Sequence, residues 1–231
     1  MIKPSKRMEA IASLVRDGAF LSDVGCDHAF LPIYLLERGK IRGAVASDVV
    51  EGPLSRAREN IEKANMSAKI ATELCPGLDK IAPYDPDDIV IAGMGGELIA
   101  SIIDGWELSR DAKRRFILQP MTRKEDLRAY LSREGYEIED ELAIEEDSRV
   151  YTVMAASYTG KPYALNAFEL IAGRKIIEKA LAGDKVCASL IKKEADHLYK
   201  IVASRSGSAK SAEFEKEALG HCRELLAHIE E

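Results

Sequence analysis

The stretch LSDVGCDHAFLP, residues 21–32, joins a strand of mainly apolar residues to a helical pattern through a short turn. The strand ends at Val24, and a single glycine, Gly25, is followed closely by a carboxylate and an imidazole, Asp27 and His28. In α/β proteins, the first strand-to-helix turn is a common place for a cofactor to bind. The stretch therefore predicts an α/β fold with a ligand site that begins at Gly25.

Outward from this turn, short apolar runs alternate with helical patterns as far as about residue 160. Strands are expected near residues 19–24, 43–48, 68–73, 87–92, 114–118, 136–144 and 150–158, and helices near residues 30–38, 53–65, 96–105 and 123–134. Such alternation predicts a mainly parallel sheet with helices on both faces. The last two strands have no helix between them, which predicts a hairpin with an antiparallel strand at or near the edge. Seven strands with this ending resemble the class I methyltransferase variant of the Rossmann architecture.

The composition changes at Gly160-Lys161-Pro162, beyond which only helical spacing is found. We therefore expect two domains, residues 1–160 and residues 161–231. Apolar residues at steps of three and four predict that the second domain is an antiparallel helical hairpin with a coiled-coil seam. The stretch Ser204-Arg-Ser-Gly-Ser-Ala is the expected turn between its two helices.

Charge is distributed unevenly between the two parts. The chain of 231 residues has a net charge of −6, with 33 basic residues against 39 acidic ones. Residues 161–210 contain ten Lys and Arg against five Asp and Glu, whereas residues 1–160 contain 21 against 28. A positive appendage on an acidic protein is expected if a polyanion lies across it, and a solvated helix face with random charge is the alternative.

The cysteines and histidines predict no metal site. Cys26, Cys75, Cys187 and Cys222 have neither CxxC pairing nor zinc spacing, so we expect reduced thiols in a cytoplasmic protein. The three histidines of the helical part lack further ligands on a matching face. No stretch approaches the roughly 20 apolar residues that span a bilayer, so no membrane association is expected.

The turns after three of the strands suit a nucleoside cofactor. The first turn lacks the second and third glycines of GxGxxG, which argues against a pyrophosphate and hence against NAD or FAD. Its carboxylate suits a ligand with an ammonium group, such as the amino-acid end of S-adenosylmethionine, and the alternative is that Asp27 caps the next helix. Asp48, at the end of the second strand, can accept both hydroxyls of a ribose. Gly93-Met94-Gly95-Gly96 permits close approach of the backbone to a ligand.

Four segments then resemble one family. In this order, SDVGCDHAFLP, ASDVVEGPL, IAGMGGELI and FILQPMTRKEDLRAYLSREGY resemble the bacterial tRNA (adenine(22)-N(1))-methyltransferases, and the resemblance extends over nearly the whole chain. It implies S-adenosylmethionine as the cofactor and tRNA as the partner. The residues that it implies at the cofactor are Asp23, Gly25, Cys26, Asp27, His28, Asp48, Val49, Gly77, Leu78, Gly93, Met94 and Gly95. The chain departs from the family at Cys75-Pro76, because Pro76 has no N–H to offer the cofactor adenine.

The resemblance also implies methyl transfer to N1 of adenine 22 in the D-loop. Gln119 and Pro120 would line the transfer chamber. Neutral adenine already has a lone pair at N1, so the enzyme mainly aligns it with the sulfonium methyl. Asp27 and His28 are the candidate catalytic residues, with Asp27 serving either the amine of the base or the ammonium group of the cofactor. The candidate tRNA contacts are Lys3, Lys6, Arg7, Arg174, Lys175, Lys179, Lys192 and Lys193.

The residues alone leave other functions open. A class I methyltransferase for a different RNA, a protein or a small molecule would need neither tRNA nor the residues beyond about 160. A catalytically silent RNA-binding protein on the same fold would bind no cofactor, and the intact turns argue against it. A dehydrogenase ranks below both because the phosphate-binding loop is lacking. A monomer is favoured.

Overall fold

This computed structural model of the protein describes residues 2–204 and 213–229. A seven-stranded sheet lies at its centre, with helices on both faces. The strands are β1 (Ala19–Val24), β2 (Ile41–Asp48), β3 (Ile70–Leu74), β4 (Asp88–Gly95), β5 (Arg115–Thr122), β6 (Tyr136–Glu146) and β7 (Arg149–Tyr158). The helices are α1 (Lys6–Leu14), α2 (Phe30–Glu37), α3 (Glu51–Lys63), α4 (Gly96–Asp104), α5 (Lys124–Arg133), α6 (Ala167–Ala172), α7 (Arg174–Leu181), α8 (Lys185–Ser204) and α9 (Glu213–Ile229).

The strands of the sheet follow the order β3-β2-β1-β4-β5-β7-β6. Strands β1 to β5 are parallel, and β7 runs antiparallel between β5 and β6. The chain order reverses between β1 and β4, which opens a crevice beyond the ends of these two strands. The predicted Rossmann-like methyltransferase sheet, with its terminal hairpin, is confirmed.

Two buried hydrophobic clusters cover the opposite faces of the sheet. In β4, Val90 belongs to the cluster that contains residues of α1, α2 and α3, whereas Ile89 and Ile91 belong to the cluster with α4 and α5. Adjacent residues of a strand point to opposite faces, so both faces of β4 are buried. An unbroken apolar run is the sequence signature of such a central parallel strand.

Helix α1 is absent from the elements predicted above. Its signals are nevertheless present, since Ser5 Oγ accepts a hydrogen bond from Met8 N at 3.2 Å and so caps the helix. Ile11 and Ala12 are buried in the core beside the sheet. The helix has only nine residues, and several of them are charged. Its apolar pattern is therefore too short to be recognised by periodicity alone.

Beyond residue 160, the described residues form the helices α6 to α9, as the helical spacing predicted, and we call these four helices the helical unit. It encloses a hydrophobic cluster of its own. Helices α8 and α9 contact each other, but the hairpin prediction omits α6 and α7, which are separated by Gly173 (φ 95°) and followed by Gly183 (φ 93°). Of the predicted turn at 204–209, all but Ser204 lies outside the described residues, and the coiled-coil seam stays a prediction.

Within the two described ranges, no helix combines the length and apolarity needed to cross a bilayer.

A buried ion pair joins the sheet to the helical unit, and we call it the junction. Arg128 of α5 and Glu141 of β6 both have 0% exposure, and Arg128 Nε donates to Glu141 Oε1 at 2.8 Å. The same guanidinium donates to the carbonyls of residues 170–172, at the end of α6, at 2.8 to 3.3 Å. Glu141 also accepts from Lys175 N at 3.3 Å. A Cβ on Gly173 would lie 2.4 Å from Glu141 Oε2, so the junction requires glycine there.

Candidate active site

The turns identified in the sequence meet at one edge of the sheet, the carboxyl edge, where β1, β2, β4 and β5 end. Val24 of β1 lies beside Ser47 of β2 on one side and beside Ile91 of β4 on the other. Strand β4 is paired with β5 as far as Gly95 and Thr122. Parallel strands end at the same edge, so the predicted first, second and fourth turns adjoin one another.

The turn after β1 contains residues in the left-handed backbone conformation. Gly25, Asp27 and Ala29 have φ angles of 71°, 49° and 55°. Residues other than glycine rarely adopt such angles, and they cluster at functional sites. The N–H groups of Gly25 and Cys26 both donate to Ser47 O, at 2.8 and 3.0 Å. The turn is thereby fixed to the end of β2.

Asp27 and His28 form a pair at the open side of this turn. Asp27 Oδ1 lies 3.5 Å from His28 Nε2, and the two side chains are 70% and 30% exposed. The His28 ring stacks on Phe30 with centroids 5.1 Å apart, and His28 O accepts from Asn60 Nδ2 at 3.0 Å. The helix-cap role for Asp27 is wrong, because Ala29 is the N-cap of α2 and no side chain caps that helix. The exposed carboxylate is available to a ligand.

Two further carboxylates lie next to the first turn. Asp23 is buried within β1, and burial, followed by the charge of Asp48, raises its pKa to about 7. Asp48 accepts a hydrogen bond from Val50 N at 2.9 Å, and Val49 beside it is exposed. Burial also raises the pKa of the Cys26 thiol, so this side chain stays neutral. A buried carboxyl that titrates near neutrality marks a candidate functional group.

The residues Gly93 to Gly96, which we call the glycine-rich turn, form the end of β4 and the first residue of α4, and they contact the turns on both sides. Strand β4 thus extends three residues beyond its predicted end at residue 92. The Met94 side chain reaches the first turn, since a Cβ on Gly25 would lie 2.5 Å from Met94 Cε. Gly96 approaches the turn after β5 so closely that a Cβ would lie 2.1 Å from Arg123 O. Packing against backbone therefore requires glycine at position 96, whereas at position 25 it is the positive φ that favours glycine.

Gln119 connects the glycine-rich turn to the end of β5. Gly93, whose φ is 78°, donates its N–H to Gln119 Oε1 at 3.2 Å. Gln119 Nε2 donates to Pro120 O at 3.1 Å and lies 3.5 Å from Met121 Sδ. Gln119 is buried, whereas Met121 is exposed. The structure thus brings the predicted chamber residues Gly93, Gln119 and Pro120 together.

The turn after β3 offers backbone to a ligand more than side chains. Cys75 N donates to Asp48 O at 3.0 Å, so this turn adjoins the end of β2. Gly77 has a φ of 52°, and a Cβ there would lie 3.2 Å from Ile102. Leu78 is buried in the hydrophobic core. A ligand here would therefore contact the main chain of Gly77 and Leu78.

Most of the basic residues predicted to contact tRNA form interactions within the chain. Arg7 pairs with Glu146 at 2.7 Å, and Lys6 Nζ donates to Glu145 O at 3.1 Å. The predicted contacts of the helical unit include the ion pairs Arg174–Glu169, Lys175–Glu178, Lys179–Asp140 and Lys193–Glu145, at 2.6 to 3.5 Å. Lys192 is engaged as well. The positive charge of this region is therefore largely compensated by neighbouring acids.

Two residues that shape the first turn are missing from the sequence prediction. Phe30 follows His28 by two positions, which is a signal that could have been used. Asn60 lies 32 residues from His28, and nothing local identifies it. Within the described part of the chain, no group of three or more His, Cys, Asp or Glu side chains could hold a metal ion.

Comparison with known proteins extends these observations. Residues 4–154 match a family model described as a methyltransferase domain. The curated tRNA (adenine(22)-N(1))-methyltransferase of Bacillus subtilis (strain 168) is 34% identical over 210 residues, which cover 90% of this chain and 88% of the relative.

Two solved structures hold the same kind of ligand on the same fold. A Streptococcus pneumoniae protein in complex with S-adenosyl-L-methionine is 34% identical, with a TM-score of 0.83 over 97% of this chain and 100% of that one. An M. capricolum protein in complex with the natural cofactor product S-adenosyl-homocysteine is 25% identical, with a TM-score of 0.77 over 98% of each chain. The structural similarity therefore covers the sheet and the helical unit alike.

Proposed function

The chain belongs to the tRNA (adenine(22)-N(1))-methyltransferase family, and from this membership we propose that it transfers the methyl group of S-adenosylmethionine to N1 of adenine 22 in the D-loop of tRNA. The observation that carries the proposal is the 34% identity to a relative of that name over 90% of the chain. A similarity limited to the sheet would support methyl transfer in general and leave the substrate open.

In this proposal the cofactor lies across the ends of β1, β2 and β4. From its methionine end to its adenine, it contacts Gly25, Asp27, His28, Asp48, Val49, Gly77 and Leu78. Asp23 supports this placement because its buried carboxyl has no ion pair within the described residues. An ammonium group nearby would favour the ionised form of that carboxyl and so offset the effect of its burial. The site thus fits a cationic nucleoside.

Orientation is the main task of the protein in this reaction. When bound, S-adenosylmethionine would supply a methyl group on a positively charged sulfur. The N1 lone pair of adenine would bond to this methyl carbon in line as the sulfur–methyl bond breaks and S-adenosylhomocysteine leaves. Holding the two reactants in that geometry can lower the barrier by roughly 7–11 kcal/mol. Gln119 and Pro120 form the wall against which the adenine is placed. The hydrogen bond from Gly93 N to Gln119 Oε1 fixes this wall relative to the glycine-rich turn.

Asp27 is the polar group assigned to the reacting base. As N1 gains the methyl group, the adenine becomes cationic and its exocyclic amine becomes more acidic. A carboxylate that accepts a hydrogen bond from this amine stabilises the developing charge. His28, 3.5 Å from Asp27, orients the carboxylate or accepts the proton. The other assignment of Asp27, to the ammonium group of the cofactor, predicts that Asp27→Asn weakens cofactor binding instead of slowing turnover.

Residues 161–231 are proposed as a second domain that contacts tRNA. N1 takes part in Watson–Crick pairing, so the target base must be unpaired or extruded, which a tRNA loop allows. The proposed contacts to phosphates are Lys3, Lys6, Arg7, Arg174, Lys175, Lys179, Lys192 and Lys193. Within the helical unit, those of these residues that pair with acids exchange their partners for phosphates, since exposed ion pairs are weak. We place this activity in the cytoplasm and assign it to a monomer.

The test is methyl transfer from labelled S-adenosylmethionine to unmodified tRNA transcripts that carry adenine or guanine at position 22. Label should enter the first transcript only, and mapping should place it on N1. Label in neither transcript, with cofactor binding intact, would refute the proposed substrate. Equal label in both transcripts would refute the proposed position.

A further inference from the structure

A groove of about 390 Å³ opens beside Pro120 at the carboxyl edge. It lies between the turn that follows β5 and the first residues of β7, which reach this edge because β7 is antiparallel to β5. Met121, Arg149 and Tyr151 contribute to its lining, together with the start of α5. The groove is therefore continuous with the wall proposed for the target adenine.

Tyr151 is held in place by the N-terminal helix. Arg7 Cζ lies 4.4 Å from the centre of the Tyr151 ring. Glu146 fixes this guanidinium by accepting from Arg7 Nε at 2.7 Å, and Arg7 Nη1 lies 3.8 Å from Met121 Sδ. Proteins hold unpaired nucleobases by stacking them on such aromatic side chains.

Arg149 differs from the other cations of the groove. It is exposed, and its guanidinium has no ion pair within residues 2–204 and 213–229. Arg123 pairs with Asp126 at 2.5 Å, and Lys124 pairs with Glu194. An uncompensated guanidinium beside an ordered aromatic ring offers one partner for a phosphate and one for a base.

We propose that this groove is a subsite for the tRNA nucleotide next to the target adenine, with its base stacked on Tyr151 and its phosphate bound by Arg149. The proposal rests on the proposed function. Contacts of 3.5, 3.8 and 4.4 Å connect Gln119 to Tyr151 through Met121 and Arg7, so the chamber and the subsite form one surface. Extrusion of the target base removes its stacking on the neighbouring base. A stacking platform for that neighbour replaces the lost contact and fixes the RNA beside the chamber.

The first test removes the base while keeping the phosphate. Binding to the full-length protein is measured for intact tRNA and for tRNAs with an abasic nucleotide on either side of adenine 22. For the wild type, one of the two abasic tRNAs should bind about five to a hundred times more weakly. Tyr151→Ala should bind that abasic tRNA and the intact tRNA equally, whereas Tyr151→Phe should keep the wild-type difference.

The second test addresses the phosphate. Arg149→Gln should lower the slope of log affinity for tRNA against log salt by about 0.7 to 0.9, the value of one phosphate contact. Lys69→Gln is the matched control, because Lys69 is exposed, has no ion pair in the described ranges and directly precedes β3 at the opposite edge of the sheet. It should leave the slope unchanged. Affinity for S-adenosylmethionine should stay within about twofold in every variant.

The outcomes separate the subsite from the proposed function. Equal binding of intact and abasic tRNAs by the wild type, or an unchanged salt slope in Arg149→Gln, would overturn the subsite even if the wild type methylates adenine 22. If Tyr151→Ala lost affinity for S-adenosylmethionine as strongly as it lost affinity for tRNA, the stacking role would be overturned as well. Such a result would show that the substitution disturbs the fold around the site. A wild type that binds the cofactor but neither binds nor methylates tRNA would overturn the proposed function and the subsite with it.

Discussion

The junction and the carboxyl edge treat buried charge in opposite ways. At the junction, the side chains of Arg128 and Glu141 pair with each other and also form hydrogen bonds to three carbonyls of α6 and one backbone N–H of α7. At the carboxyl edge, Asp23 is buried with no ion pair among the described residues, and its pKa is raised to about 7. The buried charges of the junction therefore neutralise each other, whereas the buried carboxyl of Asp23 at the carboxyl edge has no cationic partner among the described residues.

The difference shows how to separate structural from functional charge in one chain. A buried charge that stabilises the fold is paired and fully hydrogen-bonded. A buried carboxyl without a partner destabilises the folded state, and such costs are found where a ligand supplies the missing partner.

Arg128→Met should break the junction. Glu141 would then stay buried without its cation, and removal of one partner of a buried pair lowers the free energy of unfolding by about 3–5 kcal/mol. Urea unfolding measures the effect. The matched control is Arg110→Gln, which removes an exposed pair with Glu134 at 2.9 Å and should cost less than about 1 kcal/mol. Similar small losses in the two variants would contradict the structural role of the junction.

Asp27→Asn should break the proposed catalysis at the carboxyl edge. Asparagine keeps the shape of the side chain and tolerates the left-handed conformation of this position. If Asp27 serves the base, turnover should fall about 10²- to 10³-fold with little change in cofactor affinity. If it serves the cofactor ammonium group, affinity for S-adenosylmethionine should fall instead. Single-turnover kinetics and calorimetry distinguish the two, and full turnover with unchanged affinity would refute both assignments.

Asp23 should give the ligand-free protein a distinctive pH dependence. Its pKa is about 7 in the folded state and 3.8 as its ordinary value, so the folded protein binds this proton more tightly than the unfolded chain. Its contribution to stability is therefore full below about pH 4 and falls by up to about 1.4 kcal/mol per pH unit as the pH rises towards 7. Denaturant unfolding of wild type and Asp23→Asn measures this slope, which the variant should lack.

Bound S-adenosylmethionine should change the pH dependence of unfolding that Asp23 causes. With saturating S-adenosylmethionine, the slope that Asp23 causes should flatten, because a nearby ammonium group favours the ionised carboxyl. An identical pH dependence in Asp23→Asn, with and without ligand, would show that Asp23 is not the uncompensated group inferred here.

Lys193→Gln should have the smallest effect. Lys193 already pairs with Glu145 at 3.5 Å, so the gain of a phosphate is offset by the loss of this partner. Affinity for tRNA should fall by less than about threefold at moderate salt. The affinity of Lys185→Gln for tRNA is measured for comparison. This substitution removes an exposed cation that has no ion pair in the described ranges. A loss above tenfold in Lys193→Gln would mean that the pair with Glu145 does not limit RNA binding.

The sequence predicts the features that local patterns encode. Apolar runs such as Ile89-Val90-Ile91 identify the central strands, and glycine or a carboxylate at each strand end identifies the turns. Parallel strands bring those ends to one edge, so Gly93 and Gln119 are correctly expected together.

Long-range features are not encoded in this way. Composition assigns Arg128 and Glu141 to the surface, because charged residues are seldom fully buried. Their pairing depends on the approach of α5, β6 and α6, which no spacing in the sequence reveals. Arg149 and Tyr151 are missed for a related reason. Only the insertion of β7 between β5 and β6 brings the start of β7 to the carboxyl edge.

The junction also has a consequence for protein synthesis. Arg128 leaves the ribosome 13 residues before Glu141, and 42 to 44 residues before the three carbonyls at the end of α6. A nascent chain that has reached residue 160 already contains every turn of the carboxyl edge, yet its guanidinium lacks three of its acceptors. The sheet therefore reaches its final stability only after α6 has emerged, and the two parts of the chain mature together.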